Sequence, residues 1–110
     1  MVSHELKRGT AELAILNVLV QGPLHGYEIA RQIEKRSGGG LAFSLAALYP
    51  LLYRMESRGW LRGSWETSER GRRRRCYQLQ PRGEKMIAPL SDDWENLQRA
   101  MKRLVKFSYA

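Results

Sequence analysis

Five of the six positions from 70 to 75 are arginine, in the string RGRRRR, and Cys76, Tyr77, Gln78 and Leu79 follow at once. Guanidinium groups stay charged at any physiological pH, and their planar forks of N–H donors match phosphate oxygens. Successive strand residues face opposite sides, so adjacent arginines in a strand expect anions on both. The net charge of +8 is also unevenly placed. Residues 1–69 sum to +1, and residues 70–110 sum to +7. Such asymmetry points to a localised anionic partner, either nucleic acid or an acidic membrane surface.

Little else in the chain could do chemistry. The two histidines, His4 and His25, are far apart, and Cys76 is the single cysteine. No nucleophile lies beside a base in sequence, and no ligand spacing suits a structural zinc site, so neither an enzyme nor a metal or cofactor is expected. One thiol forms no internal disulfide, which suits a reducing cytosol, and Cys76 reads as a small buried apolar group. No leader and no apolar run near eighteen residues is present, so a cytoplasmic location is expected.

The elements that must position the arginines can be read from the flanking sequence. Thr10 is a candidate N-cap for a first helix, in which Leu13, Ile15, Leu16, Val18, Leu19 and Val20 cover nearly every side and Asn17 is the polar exception. Gly22-Pro23 stops it. A second helix is predicted over roughly 25–36, ending at the glycines 38–40. A third has Ser44 at its N-cap and Gly59 at C′. Its Leu48, Leu51, Leu52 and Met55 share one face, at the i, i+3, i+4, i+7 spacing. Pro50 falls at the sixth helical position on the outer face, so a bend is possible there. Residues 61–67 and 74–79 form a hairpin, with its turn around Ser68–Arg72 and Gly71 available for positive φ. A long final helix begins near Pro81. Leu90, Trp94, Leu97, Met101 and Leu104 step along it by 4, 3, 4 and 3, the spacing of a coiled-coil-like seam. Pro89 should bend or interrupt it near the start.

Three helices and a basic-tipped hairpin make a winged helix-turn-helix. The strings GPLHGYEI (22–29), ALYPLLYRMESRGWL (47–61) and GRRRRCYQLQPRG (71–83) resemble the PadR family of bacterial transcriptional regulators over residues of about 6 to 105. The chain is similar to the short subgroup, without a further C-terminal domain. Two positions depart from the family pattern. Gln80 stands where a threonine commonly caps the last helix, and Arg73 stands where the wing often has proline.

The fold class is therefore mostly α with a small β-hairpin, and two parts are expected. Residues 1–80 form a winged helix-turn-helix DNA-binding domain, and residues 81–110 form a C-terminal dimerisation helix. The helix over 44–58 would enter the major groove. Ser44, Ala46, Tyr49, Tyr53 and Arg54 would face the DNA there. Arg72, Arg73, Arg74 and Arg75 of the wing would follow phosphates or enter a minor groove, with Tyr27 and Lys7 or Arg8 adding phosphate contacts. The stripe Leu90, Leu97, Met101 and Leu104 would pack against the first helix of a second copy, so that two reading helices address a palindromic operator. The position of Trp94 resembles that of a tryptophan which, in multidrug-sensing members of the family, lines a pocket at the dimer interface and stacks on planar aromatic ligands. Asn17, Leu13 and Leu6 are its candidate neighbours. The resemblance implies a homodimeric repressor of transcription, released by a planar aromatic or phenolic molecule. A sequence-neutral nucleoid or RNA-associated binder, and a protein–protein adaptor built on the same fold, remain the competing classes.

Overall fold

The computed structural model describes residues 4–108, and the side chains of 9–105 among them. Eight elements follow one another: α1 (His4–Leu19), β1 (Leu24–His25), α2 (Gly26–Arg36), α3 (Leu45–Ser57), β2 (Leu61–Thr67), β3 (Arg73–Leu79), α4 (Pro81–Glu84) and α5 (Ile87–Ser108). The core draws on every layer. Ile15, Leu16 and Leu19 of α1, Ile29 and Ile33 of α2, Leu48, Leu52 and Met55 of α3, and Tyr77 of β3 are all buried in one cluster. Each such side chain contributes about 1.5–3 kcal/mol by leaving water.

Helix α3 is bounded as its sequence prescribes. Ser44 is extended, and its Oγ accepts a hydrogen bond from the Ala47 amide. At the other end Gly59 has φ +78°. The Gly59 amide donates to the Glu56 carbonyl and the Trp60 amide to the Met55 carbonyl, a Schellman closure that turns the chain straight into β2. Pro50 lies within the helix, exposed, and the helix runs through it without a break. A second tie holds the same corner. Arg58 Nη1 donates to Oε1 of the buried Glu12 at 3.3 Å, fixing the end of α3 to α1, and the Arg58 guanidinium lies 5.1 Å from the centre of the Trp60 ring.

Three features differ from the sequence reading. Helix α1 starts at His4, so Thr10 is an interior residue and not a cap. The hairpin is part of a three-stranded sheet of order β1-β3-β2, because Leu24 and His25 pair with Tyr77 and Cys76. The interruption expected near the start of the final helix is present, but it falls at Lys85 and Met86, ahead of Pro89, and leaves two helices. Pro89 then occupies the first turn of α5, where its missing N–H costs nothing. Gln80 precedes α4 without a side-chain cap bond, in keeping with its weakness as a capping residue.

Helix α5, with 22 residues, extends roughly 33 Å. The chain measures 59 × 27 × 23 Å, much longer than a sphere of this mass would be. Leu90 packs against the core. Beyond it, Trp94, Leu97, Met101, Leu104 and Val105 are exposed, so an apolar stripe runs along the projecting helix. Among the described residues no helix is long and apolar enough to cross a membrane.

Candidate nucleic-acid interface

The register of β2 against β3 sorts the arginines onto two faces. Trp65 pairs with Arg75, Gly63 with Tyr77, and Thr67 with Arg73, so these side chains share the face that looks toward α3. Glu66 pairs with Arg74 and Ser64 with Cys76, on the opposite face. Arg72 lies in the turn, whose shape rests on Gly71 at φ +78° and on Ser68, which accepts from the Arg72 amide through its Oγ.

The Trp65 ring organises the α3 side. The guanidinium of Arg73 lies 4.9 Å from the ring centre and that of Arg75 5.3 Å. Stacking of this kind attracts a cation while leaving N–H edges free for an anion. Arg75 goes further and donates from Nη2 to Oε2 of Glu56 in the last turns of α3. That bond holds the Arg75 guanidinium above its ordinary pKa, with burial acting in the other direction. Arg75 therefore differs from the expectation that all four arginines stand open to phosphate. Its charge is engaged within the molecule, where it fixes the hairpin to α3. Arg72, Arg73 and Arg74 are exposed.

Two glycines make room for this arrangement. A Cβ at Gly63 would lie 2.7 Å from Arg75 Nη2 and 2.8 Å from Glu56 Oε1. A Cβ at Gly26 would lie 2.8 Å from Cε1 of Tyr49, so the Tyr49 ring rests directly on the start of α2. Valine favours strands, so any loss from Gly63→Val would come from the displaced pair and not from β propensity. Gly63→Val is expected to lower the thermal unfolding midpoint by roughly 5 °C or more. It should also weaken DNA binding, because the hairpin loses its fixed angle to α3; calorimetry and equilibrium DNA titration read the two effects.

On α3, Ser44, Ala46, Tyr53 and Arg54 are exposed, and Tyr49 is half-buried. The Tyr49 and Tyr53 rings stack with centroids 6.3 Å apart. Tyr27, at the start of α2, is 65% exposed. Tyr77 lies beneath this surface, fully buried, and its phenol is pushed up to about 12, by burial first and by Tyr53 second, with Arg75 opposing. The exposed residues named from the sequence thus fall on α3, on α2 and on the hairpin held to α3 by Arg75. Lys7 and Arg8 lie outside the described side chains.

The expected neighbours of Trp94 divide. Leu13 joins Trp94, Gly9, Thr10, Leu90, Asp93 and Leu97 around a pocket of about 140 Å³ between α1 and α5. Asn17 lies elsewhere, in a shallow cleft with Ala14, Val18, Ile33 and Leu41, and its amide donates to the Leu13 carbonyl. The side chain of Leu6 is outside the described residues. Sequence reading missed Trp65 and Glu56 as partners of the arginines. The two-residue period would have put Trp65 on an arginine face once the register was known. It also missed His25, Glu66 and Cys76 as a group, brought together only by the pairing of β1 with β3.

Three helices, with the third capped, exposed on its outer side and clamped to a cationic hairpin, define a winged helix-turn-helix protein that binds DNA. The chain belongs to the PadR-like family of transcriptional regulators, whose family model matches residues 15–89. Solved structures agree. A transcriptional regulator from Clostridium thermocellum is 26% identical, with 96% of this chain and 99% of that one covered and a TM-score of 0.80. One from Thermoplasma acidophilum is 25% identical, with 94% and 97% covered and a TM-score of 0.82. A PadR-like regulator from Bacillus cereus is 26% identical, with 94% and 97% covered and a TM-score of 0.71. An uncharacterized protein from Lysinibacillus sphaericus is 24% identical over 94 residues, 86% of each chain. This is a DNA-binding regulator of transcription.

Proposed function

We propose that the chain acts as a homodimer that reads a palindromic operator and represses transcription until a planar aromatic or phenolic molecule releases it. The observation that carries the reading is the Arg75–Glu56 bond, which ties the arginine wing to α3. A unit with a fixed angle between reading helix and wing suits one groove geometry, whereas a sequence-neutral binder has no need of one. Residues 1–80 supply that unit and residues 81–110 the contact between copies. Ser44, Ala46, Tyr49, Tyr53 and Arg54 face the major groove, and Arg72, Arg73, Arg74 and Tyr27 face phosphates. Alanine and tyrosine make no bidentate contacts with base edges, which leaves Arg54 as the side chain of this face able to pair with guanine in that way, and much of the remaining specificity draws on DNA shape.

The exposed stripe on α5 supports the dimer. Half-exposed side chains such as Trp94 and Met101 each contribute about 1 kcal/mol when a second copy covers them. The pocket beside Trp94 supports a ligand, since an apolar cavity on the order of 150 Å³ admits a benzene-sized ring. Two measurements test the reading. Binding to a selected palindrome should exceed binding to random fragments by orders of magnitude; near-equal binding would favour the sequence-neutral class. Planar aromatics should quench Trp94 fluorescence and release the DNA. No response in a Trp60→Phe, Trp65→Phe background, where Trp94 is the remaining indole, would remove the ligand from the proposal.

A further inference from the structure

The sheet gathers three ligand-bearing side chains that are far apart in the sequence. Cys76, on the central strand β3, lies directly opposite His25 of β1. Its partner on β2 is Ser64, and Glu66 follows two residues along on the same face. One donor atom each from His25, Glu66 and Cys76 lie within 4.8 Å of one another. Thiolate, imidazole and carboxylate donors bind zinc at about 2.0–2.3 Å, which sets tetrahedral edges of roughly 3.5 Å. Contraction by about 1 Å is within reach of side-chain rotation. A second, independent sign is His25 Nδ1, which is buried without a hydrogen-bond partner. An orphaned ring nitrogen of this kind is rare in folded proteins, and an ion is one of the ways to satisfy it.

We infer that His25, Glu66 and Cys76 form a three-ligand site for a divalent cation of the zinc type. The thiolate disfavours calcium and magnesium, which take oxygen donors. Three protein ligands leave a fourth position open to solvent. Binding displaces the thiol proton to solvent as the sulfur–metal bond forms. The ion then joins β1, β3 and β2 at the base of the wing. The site is independent of the DNA-binding reading and is tested without DNA.

The experiment titrates the metal-free full chain with Co²⁺ and then Zn²⁺. The expected result is one Co²⁺ per chain, with an intense thiolate-to-cobalt charge-transfer band, displaced by stoichiometric Zn²⁺. Cys76→Ser should abolish the band, and Glu66→Gln should weaken Zn²⁺ binding roughly tenfold or more. Glu66 is exposed, so that variant decides the matter if Cys76→Ser fails to fold. Absence of the charge-transfer band in the wild-type chain, or Zn²⁺ affinity unchanged by Glu66→Gln, would overturn the inference.

Discussion

Replacing Arg72, Arg73 and Arg74 together with alanine lowers DNA affinity by on the order of 10³-fold or more at about 0.1 M salt, with little change in folding. The three side chains are exposed, so their removal leaves no cavity. Arg73 stacks on the Trp65 ring, and that local packing disappears with it. If each arginine neutralises one phosphate, a dimer engages six, and the log–log salt slope is about −5. The triple variant should retain only the shallow slope contributed by α3 and α2. Arg75→Ala is expected to behave differently. It removes the bond to Glu56, so unfolding temperature and DNA affinity fall together, while the salt slope changes less than for any of the other three arginines. Fluorescence anisotropy over a salt series separates the two patterns.

The second large effect concerns assembly. Leu97→Asp with Met101→Asp places two carboxylates on the apolar stripe of α5, where Met101 is half exposed and Leu97 is about a third exposed beside the pocket it shares with α1. Leu97 is the one of the two that touches the α1–α5 pocket, so a small loss of stability is expected, but the core lies elsewhere and the far-ultraviolet circular dichroism should be retained. Association should fail, because each buried carboxylate would have to shed its water without a partner. Light scattering at micromolar concentration is expected to report a monomer. Operator affinity should drop by about 10²–10⁴-fold, the loss that follows when a second linked binding event disappears.

Helix α3 and the hairpin could be read from sequence because local rules set their limits. Ser44 can cap only a helix that begins at Leu45, and Gly59 is suited to the left-handed turn that ends it. The register of β2 and β3 follows from a five-residue turn containing Gly71. Features set by tertiary pairing were not legible in this way. Leu24 and His25 become a strand only because β3 passes beside them, since two residues carry no periodic signal. Thr10 has the chemistry of a cap, yet α1 already runs through it, so a local rule places the helix start too late. The string of arginines suggested four equivalent cations. One of them is bonded to Glu56, a residue whose position on α3 gives no hint of the hairpin folding back toward it. The His25, Glu66 and Cys76 group escaped for the same reason, as three residues on three strands share a face only after pairing.

The central claim is that two joined copies hold paired reading helices and wings on one face of a duplex. Its most direct test is the spacing of the two halves of a selected operator. Half-site centres one helical turn or a whole number of turns apart put both recognition surfaces on the same side. Inserting about 5 base pairs between the halves turns one of them to the far side. Affinity should then fall to that of a single half-site. Binding that is indifferent to the half-turn insertion would contradict the account.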